Sequence, residues 1–137
     1  MSQIAPYLGF NGTCREAMTF YQQCLGGDLT LNTVADSPIA DQMPPEAANN
    51  ILHSTLQNGG ATLLGSDMMG AKPVQGNNVS ISLDCGSEEE INRFFSALAV
   101  GGHITHAVKV EFWGGTFGAL TDKFGINWML TYDKNQH

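Results

Sequence analysis

The chain has 137 residues, the usual length of one domain, and 42% of them are hydrophobic, enough for a core without disulfide or metal staples. Thirteen acidic residues against six basic ones give a net charge of -7, which argues against the basic stripe of a nucleic-acid binder and against attraction to an anionic membrane surface. Cys14, Cys24 and Cys85 make an odd count with no CxxC pair, and Cys14 and Cys24 stand about 15 Å apart along one predicted helix, a pattern that fits reduced thiols in a cytoplasmic protein.

In chain order, Ile4 to Phe10 reads as a short strand. Thr13, with Glu16 three residues later, is placed as the N-cap of a capping box. Ala17, Phe20, Tyr21, Cys24 and Leu25 then follow helical spacing, and Gly26-Gly27 stops the helix. Asp28 to Val34, Asn50 to Gln57 and Ala61 to Gly65 read as strands, with Asn58-Gly59 as the hairpin turn between the last two. Ala35 to Ala48, rich in Pro, Asp and Ala, reads as a mobile loop flanking the site, and Met68 to Gln75 as a connection. The grammar then repeats. Val79 to Leu83 is a strand, Ser87 and Glu90 form a second capping box, and Ile91, Phe94, Phe95 and Leu98 give the apolar stripe of a second helix ended by Gly101-Gly102. Strands follow at His103 to Lys109, Glu111 to Thr121 and Ile126 to Tyr132. Thr13 and Ser87, Glu16 and Glu90, and Phe20 and Phe94 are each 74 positions apart. The sequence therefore carries two βαβββ modules, at about 1–67 and 76–137 of a single domain, as an internal duplication would leave them.

Side chains alternate between the faces of a strand. Trp128, Leu130 and Tyr132, like Val79, Ile81 and Leu83, suit a helix-covered face. Asn127, Met129 and Thr131, with Asn78, Ser80 and Ser82, fall on the other, as do His53, Thr55 and Gln57. A polar row of this kind reads as a wet concavity that holds a ligand, or simply as a solvated face.

Three segments carry a resemblance: PYLGFNGTCREAMTFYQQCLGGDL, ILHSTLQNGGATLLGSD and FWGGTFGALTDKFGINWMLTY. Together they resemble the PhnB-like branch of the vicinal-oxygen-chelate superfamily, which includes glyoxalase I, bleomycin-resistance proteins and extradiol dioxygenases. The resemblance implies an α+β fold in which a curved eight-stranded mixed sheet, with one helix per module on its outer face, encloses a cavity between modules and pairs as a homodimer. Chelating members hold a metal at four positions. Here these fall on Pro6, on His53, on Asn78 or Ser80, and on Met129, and only His53 is a suitable donor. No metal site is expected. His103 and His106, three apart on a strand, point to opposite faces and are poor co-ligands, and His137 is terminal.

No GxGxxG follows the first strand and there is no P-loop, so no cofactor is expected. No charged-then-apolar leader or bilayer-length apolar run is seen, so no membrane partner is expected either. The expected ligand-binding residues are His53, Thr55, Asn78, Ser80, Trp113, Asn127 and Met129, with His53 also the candidate catalytic group. The leading reading is a protein that binds a small organic molecule without metal. The alternatives are a lyase, isomerase or dioxygenase-type enzyme using His53, and an interaction module that has kept the fold without a small ligand.

Overall fold

The computed structural model describes residues 2–68 and 71–134. Positions 69–70 of the expected connection, and His137, lie outside them. The chain divides into two compact units, Met1–Val74 and Gln75–His137, and each builds its own βαβββ module.

In the first unit β1 (Tyr7–Phe10), α1 (Cys14–Leu25), β2 (Asp28–Thr33), β3 (Ile51–Asn58) and β4 (Ala61–Asp67) form a mixed sheet of order β1-β4-β3-β2, parallel only between β1 and β4. The helix packs over β2, β3 and β4. Its buried stripe of Cys14, Ala17, Met18 and Tyr21 meets Leu8, Phe10, Leu56 and Leu63 from the sheet. The loop between β2 and β3 contains two single turns of 3-10 helix, Ala40–Gln42 and Pro45–Ala47, and Ala47 is buried.

The expected capping box at Thr13 does not form. Thr13 makes no side-chain cap bond. The first helical N–H, that of Cys14, instead donates to the Asp67 carboxylate at 3.0 Å. The other Asp67 oxygen accepts the Ile51 N–H at 2.8 Å, so one carboxylate from the end of β4 ties helix and sheet together.

The second unit repeats the plan with β5 (Ile81–Asp84), α2 (Glu88–Leu98), β6 (His103–Val110), β7 (Thr116–Thr121) and β8 (Asn127–Tyr132), in the order β5-β8-β7-β6. Here the box does form: Ser87 Oγ accepts the Glu90 N–H at 3.0 Å, while Glu90 reaches back to the Gly86 N–H at 2.9 Å. Ile91, Phe95 and Leu98 face Leu120, Trp128 and Leu130. Gly118 is a glycine for want of room, because a Cβ there would lie 2.8 Å from the Phe95 ring and 2.7 Å from Val108. The indole N–H of the buried Trp128 donates to Asp122 at 2.8 Å, and the other oxygen of Asp122 accepts the Phe124 and Ile126 N–H groups, which shapes the β7–β8 turn.

Several strand boundaries differ from expectation, and the first strand, read from Ile4, begins at Tyr7. Residues 111–115 form a tight hairpin turn, closed by Glu111 N–H to Gly115 O and Gly114 N–H to Glu111 O, so β7 starts at Thr116. The strand expected from Val79 begins at Ile81, and Val79 is 74% exposed. The 74-residue offset also fails for strand faces. Leu8 and Phe10 of β1 face α1, whereas their counterparts at that offset, Ser82 and Asp84, are exposed, and Ile81 and Leu83 turn toward the helix.

Candidate functional site

On β3 the side chains of Ser54 and Leu56 are buried under α1, so His53 and Thr55 project from the opposite, open face. His53 stands opposite Asn32 on β2, and the next pair in register is Thr33 with Ile51. Leu52 is thus an extra residue, a β-bulge immediately beside His53. Bulges kink a strand locally and re-aim its side chains. His53 is half-buried. The Tyr7 hydroxyl lies 3.5 Å from its Nδ1, and Thr55 Oγ1 lies 3.4 Å from its Nε2. A hydroxyl can donate or accept, so this pair serves either tautomer of the ring.

Pro6, taken from the sequence as the first-strand position on this face, precedes the strand. Tyr7 occupies that role, with its register partner Leu64 on β4. The alternation that placed Trp128 and Leu130 on a core face had the means to find Tyr7. The signal is weak in a strand of four residues flanked by Pro6. Register places Thr30, Asn32, Gln57, Thr62 and Ser66 on the same face, with Asp28 at its edge and no Lys or Arg among the described residues there.

The second sheet's open face carries Ser82 on β5, Met129 and Thr131 on β8, and Phe117 and Ala119 on β7. Met129 is 36% exposed between its register partners Ser82 and Ala119. Asn78 and Ser80 are exposed and lie ahead of β5. Asn127 is engaged by the protein itself. Its amide donates to Gly76 O at 2.8 Å and Val79 O at 3.1 Å, and its carbonyl accepts from Thr121 at 2.9 Å. It therefore positions the segment leading into β5. Trp113 sits in the 111–115 turn with its ring over Gly115 and is 48% exposed.

His106 is more engaged than its spacing from His103 suggests. Nδ1 lies 2.9 Å from Ala107 O, Nε2 lies 3.0 Å from Glu111 Oε1, and the ring meets Phe117 edge-on at 5.0 Å. The ring thus packs between its own strand and the hairpin turn.

The buried thiols do not look like nucleophiles. Burial pushes Cys14 up to about 11, outweighing a 3.5 Å contact from Ser54 Oγ, and burial together with Glu90 and Asp84 pushes Cys85 up to about 12. Nor do the open faces fit the metal of chelating relatives. His53 has hydroxyl neighbours where imidazole or carboxylate is needed, and Met129 stands beside Ser82 and Ala119. Among the described residues no three of His, Cys, Asp and Glu are grouped to hold an ion.

A family model described as 3-demethylubiquinone-9 3-methyltransferase matches residues 2–131. A Bacillus cereus PhnB protein of the same description is 26% identical, covering 96% of this chain and 99% of its own, at a TM-score of 0.75. The chain belongs to this PhnB-like family. Similarity extends to Protein YjdN of Escherichia coli (strain K12), 32% identical over 145 residues and 97% of both chains. It extends also to protein PA1353 from Pseudomonas aeruginosa, 40% identical over 97% of this chain and 98% of that one, at a TM-score of 0.86. A glyoxalase/bleomycin resistance protein from Albidiferax ferrireducens T118 shares the fold at 15% identity, with a TM-score of 0.68 over 96% of this chain and 98% of its own. The PhnB-like chain thus has an α+β, two-module fold, the fold of that glyoxalase/bleomycin resistance protein. None of its helices is long and apolar enough to cross a membrane, among the described residues.

Proposed function

We propose that this PhnB-like protein binds a small, uncharged organic molecule on the open face of its first sheet, oriented by hydrogen bonds to His53, without a metal, as a cytoplasmic homodimer. The observation that carries the reading is His53 set between the Tyr7 and Thr55 hydroxyls, on a face with no lysine or arginine among the described residues. A few hydrogen-bonding groups on a partly apolar surface orient a neutral ligand, whereas an anion would find no counter-charge. The methyl transfer in the family's description requires a donor site, and these residues offer little for one. The turn after β1 has the single glycine Gly12, and the first N–H of α1 is already bonded to Asp67.

The test is metal analysis of the purified protein combined with a thermal-shift screen of neutral and anionic small molecules. Neutral ligands that stabilise the wild type and not His53→Ala support the reading. Divalent metal at one per chain, or undiminished stabilisation of His53→Ala, overturns it. The same geometry serves a second reading, because an imidazole between two hydroxyls can pass a proton, as a lyase or isomerase step requires. Turnover of a ligand found in the screen, lost in His53→Ala while binding persists, distinguishes that reading.

A further inference from the structure

The open face of the first sheet has an apolar half beside His53. Tyr7 stands on the edge strand β1, yet its hydroxyl reaches His53 on β3, two strands away across β4. Neighbouring strands lie about 4.8 Å apart, so the phenol must lean over β4 to do this. Its ring centroid is 6.0 Å from that of His53. The next residue on the same face of β1 is Gly9. A Cβ there would lie 2.5 Å from Met68 Sδ and 2.9 Å from its Cγ. The thioether therefore rests on the bare backbone of Gly9, on the His53 side of the sheet. Gly9 has no positive φ, so backbone conformation does not call for glycine there, and what its missing side chain supplies is space. Tyr7 is 55% exposed and Met68 37%, so both present apolar surface beside the imidazole.

We propose that Tyr7 and Met68 are the specificity-determining half of the His53 site, and that they select an uncharged aromatic alcohol. Its ring lies against the phenol and the thioether while its oxygen displaces the Thr55 hydroxyl, which stands at a long 3.4 Å, from His53 Nε2. Aromatic faces and thioethers both favour a π-system over a saturated ring of equal size. Methionine has three rotatable bonds, so Met68 swings off Gly9 to admit the ring. This inference rests on the ligand-binding reading above and adds the chemical class.

The test uses the full chain with isotope-labelled methionine methyls and histidine rings, titrated with benzyl alcohol, cyclohexylmethanol and benzoate. Benzyl alcohol is expected to move the Met68 methyl and the His53 ring along one saturable curve, and cyclohexylmethanol to bind about fivefold more weakly. Met68→Ala is expected to weaken benzyl alcohol by a similar factor. Gly9→Ala, whose backbone tolerates the change, is expected to shift the Met68 methyl before any probe is added. Equal affinity for the two alcohols, tighter binding of benzoate, or wild-type affinity in Met68→Ala while His53 still responds overturns the inference and leaves the His53 reading standing. No response at His53 to any of the three probes overturns both.

Discussion

Asp67 accepts two backbone N–H groups, from Cys14 and Ile51, while only 4% exposed. Removing the carboxylate leaves both donors buried and unpaired, at about 1–3 kcal/mol each before relaxation. Asp67→Ala is accordingly expected to lower stability by about 2–4 kcal/mol in urea unfolding. A loss below about 0.5 kcal/mol, the usual range for a surface change, would mean that water or another group replaces it. The thiols make a second residue-scale prediction. Cys14 and Cys85 have their pKa raised from 9.0 to about 11 and about 12, chiefly by burial, so the fold favours their protonated forms. That contribution to stability is fully present below pH 9.0 and is lost as pH rises toward 11 and 12, where the unfolded chain has already ionised. Thermal melts should therefore fall across that alkaline window, and a thiol reagent at pH 8 should label these cysteines only after denaturant is added.

At the scale of elements, the two helices start by different means. Ser87 caps α2 through its own hydroxyl, while α1 takes its cap from Asp67, far away in sequence. Ser87→Ala is expected to cost about 1 kcal/mol. Thr13→Ala, at the matching position, should stay within about 0.5 kcal/mol because its side chain bonds no helix N–H. Equal losses from the two substitutions in parallel denaturation curves would contradict this asymmetry. The bulge at Leu52 and the turn at 111–115 are likewise element-scale features: one lies immediately beside His53, and the other seats Trp113 over Gly115.

For the whole molecule, each four-stranded sheet ends in two edge strands, β1 and β2 in the first unit and β5 and β6 in the second. Edges of this kind are covered, blunted or paired in stable proteins. The proposed homodimer covers some of them through a closed, two-fold arrangement. Light scattering at micromolar concentration should give twice the chain mass of 14.7 kDa, and a monomer there would rule the proposal out.

The sequence by itself determined the two-module plan, because helical stripes and strand alternation are local periodicities that each segment states alone. Ser87 with Glu90, the glycine pairs after each helix, and the placement of His53 and Thr55 away from the helix face were all legible in this way. Strand ends were only partly legible: the turn at Glu111 is closed by local bonds around Gly114-Gly115 that a long-strand reading passes over, whereas Val79 suits a strand by type, but its carbonyl is taken by the distant Asn127 amide. Tyr7, Met68 and Asp67 escaped for the same reason. A phenol that crosses a strand, a thioether seated on Gly9 and a carboxylate that caps a helix 53 positions earlier are non-local contacts. No pattern within a window of sequence encodes them. Pairing β1 with β4 brings these residues together, and only the folded sheet fixes that register.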